Sequence, residues 1–191
     1  MVVNPASIGI IDGLVCPSTV FQEAGGNVAL GSDQAPGNNC HNIIHEMKNI
    51  CMFNKLKYHD PEKMPAWKAL RMATIEGAKA IGVDDIVGSL ETGKRADFIA
   101  IDLSFPSMLP VYTYPMRNIV PNLVYSARGQ EVALSVVDGK IIMRDQRILT
   151  IDEEASLEKI QQCPKEIGIR ASEEFFKIHG TNAQFMETDK L

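Results

Sequence analysis

A short apolar segment framed by glycines, Asn27-Val28-Ala29-Leu30-Gly31, runs straight into the polar loop Ser32-Asp33-Gln34-Ala35-Pro36-Gly37-Asn38-Asn39, and this junction constrains the chain more than any other feature. A segment so short and so continuously apolar reads as a parallel strand buried on both faces. Residues 20–26 before it read as a short helix stopped by Gly25-Gly26, glycine being the usual helix stop. Helix, buried strand, then polar loop is the rhythm of a βα unit, so the expected class is α/β.

The loop places Asp33 at the carboxyl end of that strand, where barrels and open α/β sheets build their active sites. A carboxylate there can ligate a metal and accept a proton from metal-bound water. The same local sequence is rich in turn formers, so Asp33 reads equally well as an N-cap or turn aspartate. Local sequence leaves both readings open.

Around this unit the pattern is mixed. Val2-Val3 before Asn4-Pro5 looks like the end of a strand. Residues 40–57 form an expected helix with Ile43, Ile44, Met47, Ile50, Cys51 and Phe53 on its apolar face. A second helix is expected over residues 65–81, from Pro65 to the stop at Gly82. Beyond Gly82 the texture changes: a strand over 96–103, then a hairpin of 132–137 with 140–143 across Asp138-Gly139, a type I′ signal. Residues 116–128 suggest a helix interrupted at Pro121. A polar helical stretch follows from 152 to 178, weakened by Pro164 and Gly168, with a frayed polar end.

Composition excludes several classes. The 19 Lys and Arg are scattered among 24 Asp and Glu, so no basic face for nucleic acid is expected. The amino terminus lacks a positive n-region, which argues against a secretory signal. No apolar run approaches the roughly 18 residues of a membrane span. Cys16, Cys40, Cys51 and Cys163 show no paired spacing and read as free thiols of a cytoplasmic protein.

Other candidate groups are weaker. His41 and His45 would share a helix face at i and i+4, and with Cys40 they could hold a metal, but surface or interface histidines are the more common case. Isolated His59 and His179 carry still less. Asn38 and Asn39 are expected to cap the following helix, and the methionines, Met108 and Met116 included, to fill core. No GxSxG or phosphate-binding glycine fingerprint occurs.

Five ordered segments together resemble the amidohydrolase superfamily, in the branch of methylthioadenosine/S-adenosylhomocysteine deaminases and triazine chlorohydrolases. Asn4-Pro5-Ala6-Ser7 resembles the turn after the seventh barrel strand, and NVALGSDQAPGNN (residues 27–39) the eighth strand with its metal-site aspartate. LRMATIEGAKAIG (70–82), GSLETGKRADFIAIDL (88–103) and LVYSARGQEV with VVDGKIIMRD (123–145) are similar to the closing segments of that branch.

The resemblance implies the last strands and helices of a TIM-like (β/α)8 barrel over residues 1–82, part of a composite β-sandwich over 83–150 and a helical tail over 151–191. It implies a metal-dependent hydrolase of C–N bonds (a deaminase) or C–Cl bonds (a chlorohydrolase), acting on a purine- or triazine-like molecule. It also implies one divalent metal, zinc or iron, in the intact enzyme. Asp33 is the one metal ligand and catalytic group that carries over; the family's His-x-His pair and later histidines have no counterpart here. Val3 stands where relatives often carry a polar residue. The chain alone is therefore expected to bind no catalytic metal and to be inactive. The alternative is a non-catalytic remnant, or half of a split enzyme that self-associates or pairs with a missing amino-terminal half.

Overall fold

The computed structural model describes residues 1–190. It divides into two compact units, Met1–Arg147 and Ile148–Leu191.

In the first unit, β1 (Val2–Val3) pairs in parallel with β2 (Ala29–Leu30), Val2 opposite Ala29 and Val3 opposite Leu30. Both residues of β2 are buried, as its glycine-framed apolar sequence requires. Between the strands run α1 (Pro5–Ile11) and α2 (Ser18–Glu23). Sequence reading gave α1 only as a turn. Its Pro5 occupies the first helical turn, where the missing N–H goes unused in any case, so proline starts this helix.

After β2 comes a one-turn helix, α3 (Ala35–Asn38), inside what reads as a polar loop. Then α4 (Ile43–Tyr58) crosses the unit. It begins at 43 rather than 40 because Asn42 is its N-cap: the Asn42 Oδ1 accepts from the backbone N–H of Ile44 at 2.9 Å and of His45 at 3.3 Å. Asn38 and Asn39, expected in that role, lie a helix earlier; Asn39 ends α3 in the left-handed region, at φ 61°. Buried Ile44, Met47, Cys51 and Asn54 recur at helical spacing on the inward face of α4, with Ile50 among them.

The helix expected over 65–81 is two, α5 (Ala66–Met72) and α6 (Ile75–Ile81). Thr74 breaks it: at φ −128°, ψ −105° it leaves helical geometry, and its hydroxyl donates back to the Leu70 carbonyl at 2.7 Å. Gly82 closes α6 in the left-handed region, as expected.

The antiparallel sheet matches the sequence reading closely. β3 (Phe98–Ile101) pairs with β4 (Val132–Val137), and β4 with β5 (Lys140–Arg144). Asp138 and Gly139 both have positive φ, at 50° and 73°, the signature of a type I′ hairpin. A two-residue strand, β6 (Arg147–Ile148), follows β5 in the sheet order. Between β3 and β4, α7 (Ile119–Tyr125) is shorter than expected and uninterrupted, because Pro121 falls in its first turn where no backbone donor is needed. The core joins these parts: Val3, Val28 and Leu30 cluster with Ile50, Met72, Met108, Val120 and Val124. Met108 fills core as expected, whereas Met116 is exposed.

The second unit is helical. α8 (Glu153–Lys177) is capped by the Asp152 carboxylate, which accepts from the Ala155 N–H at 3.0 Å, and it runs continuously through Pro164. The end expected to fray holds α9 (Thr181–Glu187). No helix among the described residues is long and apolar enough to cross a membrane.

Candidate functional site

Asp33 sits three residues past the end of β2, exposed, with φ 63°. It caps nothing: the N-cap position of α3 belongs to Gln34. A non-glycine residue in the left-handed region is uncommon, and short Asp and Asn tolerate it best. The Ser7 hydroxyl, buried on α1, donates to Asp33 Oδ2 at 2.5 Å. That bond, with a second from the Gln34 backbone N–H, holds the Asp33 carboxyl below the usual carboxylate range. At neutral pH it is an anion.

The fit around this pair is tight. A Cβ on Gly37 would lie 2.9 Å from both Asp33 Oδ2 and Ser7 Oγ, so position 37 has room only for glycine. Beneath the pair, Glu46 is 1% exposed on the first turn of α4. Its Oε2 accepts from the Ala6 backbone N–H at 3.0 Å and its Oε1 from Asn38 Nδ2 at 2.9 Å. Asn38 Nδ2 also donates to the Ser32 carbonyl, while Asn38 Oδ1 is buried without a partner.

Sequence reasoning did not find Ser7, Gly37 or Glu46 as parts of one site. In sequence, Glu46 stands out only as the acid of a His41-x-x-x-His45-Glu46 run, a weak likeness to a zinc-protease helix. A carboxylate beside the largely apolar inward positions of α4, where Asn54 is the other polar member, was the available signal.

The histidine constellation does not form. His41 lies before the start of α4, so it cannot share a helix face with His45. Its Nδ1 lies 3.3 Å from the Ser32 hydroxyl, while His45 Nδ1 lies 3.5 Å from Cys40 Sγ. Among the described residues, no group of three or more His, Cys, Asp or Glu could hold a metal ion. A catalytic zinc takes about three protein ligands. Asp33 alone does not fit one.

The amidohydrolase family matches residues 19–142. The chain is 37% identical, over 169 residues, to a 5'-deoxyadenosine deaminase of Methanosarcina mazei, covering 88% of this chain and 38% of that protein. It is 35% identical to a 5-methylthioadenosine/S-adenosylhomocysteine deaminase of Desulforudis audaxviator, covering 86% of this chain and 37% of that one. Among solved structures, an adenosine deaminase from Xanthomonas campestris with bound zinc superposes with a TM-score of 0.81 at 28% identity, over 87% of this chain and 37% of the other. Atrazine chlorohydrolase from Arthrobacter aurescens, complexed with zinc, shares the fold at a TM-score of 0.75 and 20% identity, over 84% and 35%. The chain thus spans under two-fifths of the length of these relatives. With the family matched over most of its length, this chain belongs to the amidohydrolase family.

Proposed function

We propose that the chain is the carboxy-terminal portion of a metal-dependent amidohydrolase that hydrolyses a C–N bond of an adenosine-like small molecule. Residues 1–82 supply the last strands and helices of its (β/α)8 barrel, 83–150 part of a β-sandwich, and 151–191 a helical tail. The reading rests on one observation: an ionised carboxylate, Asp33, fixed by a buried hydroxyl just past a buried parallel strand. That is where this fold class gathers catalytic groups. Deamination is favoured over dechlorination because the relatives above 30% identity are named as deaminases, whereas the chlorohydrolase likeness is one of fold.

Asp33 is the part of the metal site that this chain contributes, as a ligand and proton acceptor. The remaining ligands come from residues outside it, and the chain alone is inactive. The second reading is a non-catalytic interaction partner.

Zinc retention after dialysis tests the first reading. The chain alone should hold none. Co-expressed with the amino-terminal segment of the Methanosarcina mazei relative, it should retain about one zinc per pair, and Asp33→Asn should lose most of it. A pair that forms but holds no zinc would support the second reading.

A further inference from the structure

Two segments meet at Asp33. One is the start of α1, carrying Ala6 and Ser7; the other is the stretch 32–38, carrying Asp33 and Asn38. Their side chains touch in the Ser7–Asp33 hydrogen bond. The strand ladder that precedes them is only two residues long on each side. A third element fastens each segment separately: Glu46 on α4 holds the first through the Ala6 N–H and the second through Asn38 Nδ2.

We infer that Glu46 is a positioning residue for Asp33, setting the register between Ser7 and Asp33 across the two segments. The inference rests on the reading of Asp33 as the functional carboxylate. Burying a carboxylate without a cation is costly unless hydrogen bonds satisfy it. None of Glu46's hydrogen-bond partners is a cation, and both of its oxygens are spent on these two segments. Asn38 shows the same dependence. Its amide nitrogen faces two acceptors, Glu46 Oε1 and the Ser32 carbonyl, at the expense of a buried oxygen with no partner. Such an orphan is tolerated where other contacts over-determine the side chain's orientation. The placement also fits the chain positions. Ala6 directly precedes Ser7, and Asn38 directly follows Gly37, whose missing side chain lets Ser7 and Asp33 approach. A carboxylate offers one acceptor oxygen to each segment; an amide puts a donor NH2, which cannot accept, in place of one of them.

Carbon NMR of the full chain at one neutral pH tests this, reading the Asp33 carboxyl carbon, assigned by its disappearance in Asp33→Asn. Ser7→Ala defines the shift caused by losing the hydroxyl. Glu46→Ala should move the signal in the same direction by a comparable amount, Glu46→Gln by less, and the double variant Ser7→Ala/Glu46→Ala no further than Ser7→Ala alone. Circular dichroism establishes which variants are folded. If Glu46→Ala does not fold, Glu46→Gln carries the test. A folded Glu46→Gln or Glu46→Ala whose Asp33 signal stays at the wild-type position, while Ser7→Ala moves it, overturns the inference. The readout involves no metal, so it fails separately from the zinc experiment that tests Asp33 as a ligand.

Discussion

The corner around β1 and β2 and the antiparallel sheet of β3, β4 and β5 are ordered by different means. The sheet is a hairpin ladder plus a partner strand, held by backbone pairing with one register shift in each pair and turned by Asp138-Gly139. The corner has a ladder two residues long and takes its order from side chains: Ser7 on Asp33, Glu46 on Ala6 and Asn38, Asn54 on Thr19. Local backbone pairing builds the β4–β5 hairpin, and the distant strand β3 joins it through a backbone ladder as well. A site whose segments share only a two-residue ladder needs polar ties, and each tie is a point where one substitution acts.

That contrast can be broken at the centre. Ile50 is fully buried in the core beneath the corner, against which Ile101 of β3 and Val132 of β4 pack. Ile50→Ala should cost about 2–5 kcal/mol through lost burial and a residual cavity. Hydrogen exchange should show protection falling in β2 and β4 together. Loss confined to one of them would mean that the two regions do not share a core energetically.

A smaller pair of substitutions sharpens the comparison. Gly37→Ala forces a methyl against Asp33 and Ser7 and should cost about 1–3 kcal/mol by overpacking. Gly139→Ala meets open space and should cost about 1 kcal/mol for its left-handed backbone alone. Urea unfolding gives the totals. Amide exchange should confine the first effect to the corner and the second to the hairpin.

The smallest effect is one of pH. The Ser7 hydroxyl is the first cause of the lowered Asp33 pKa. A carboxyl whose folded pKa lies below its unfolded value adds stability above the unfolded pKa, and that stability is lost as pH falls through the folded one. Ser7→Ala should therefore differ most from wild type above about pH 4, the ordinary aspartate value, and the two should converge in acid. Parallel curves of unfolding midpoint against pH would remove Ser7 from the account of Asp33.

Legibility in the sequence followed the same division. The hairpin was readable because turn chemistry is local: Asp-Gly between two apolar runs specifies its own backbone. The buried strand β2 was readable from its glycine frame, and the stop of α6 from Gly82. What was hidden depended on partners distant in the chain. Nothing near Glu46 says that its oxygens meet Ala6, forty residues earlier. Nothing near His41 says that Asn42 starts the helix after it and so breaks the His41–His45 pairing. Thr74 splits an expected helix, its hydroxyl donating back to the Leu70 carbonyl, an event that an apolar pattern of Ala and Gly too loose to set a period could not exclude. Asp33 was legible as a position, and its partners became visible only in three dimensions.

On the proposed function, this chain contributes Asp33 to an active site completed by residues outside it. Ammonia release from 5'-deoxyadenosine, by the chain co-expressed with the amino-terminal segment of the Methanosarcina mazei deaminase, tests it most directly. Release is expected from the pair and from neither part alone, with a fall of at least about a hundredfold in Asp33→Asn, the loss expected for a group that acts on the reacting atoms. A pair that releases ammonia equally well with Asn at position 33 would contradict it.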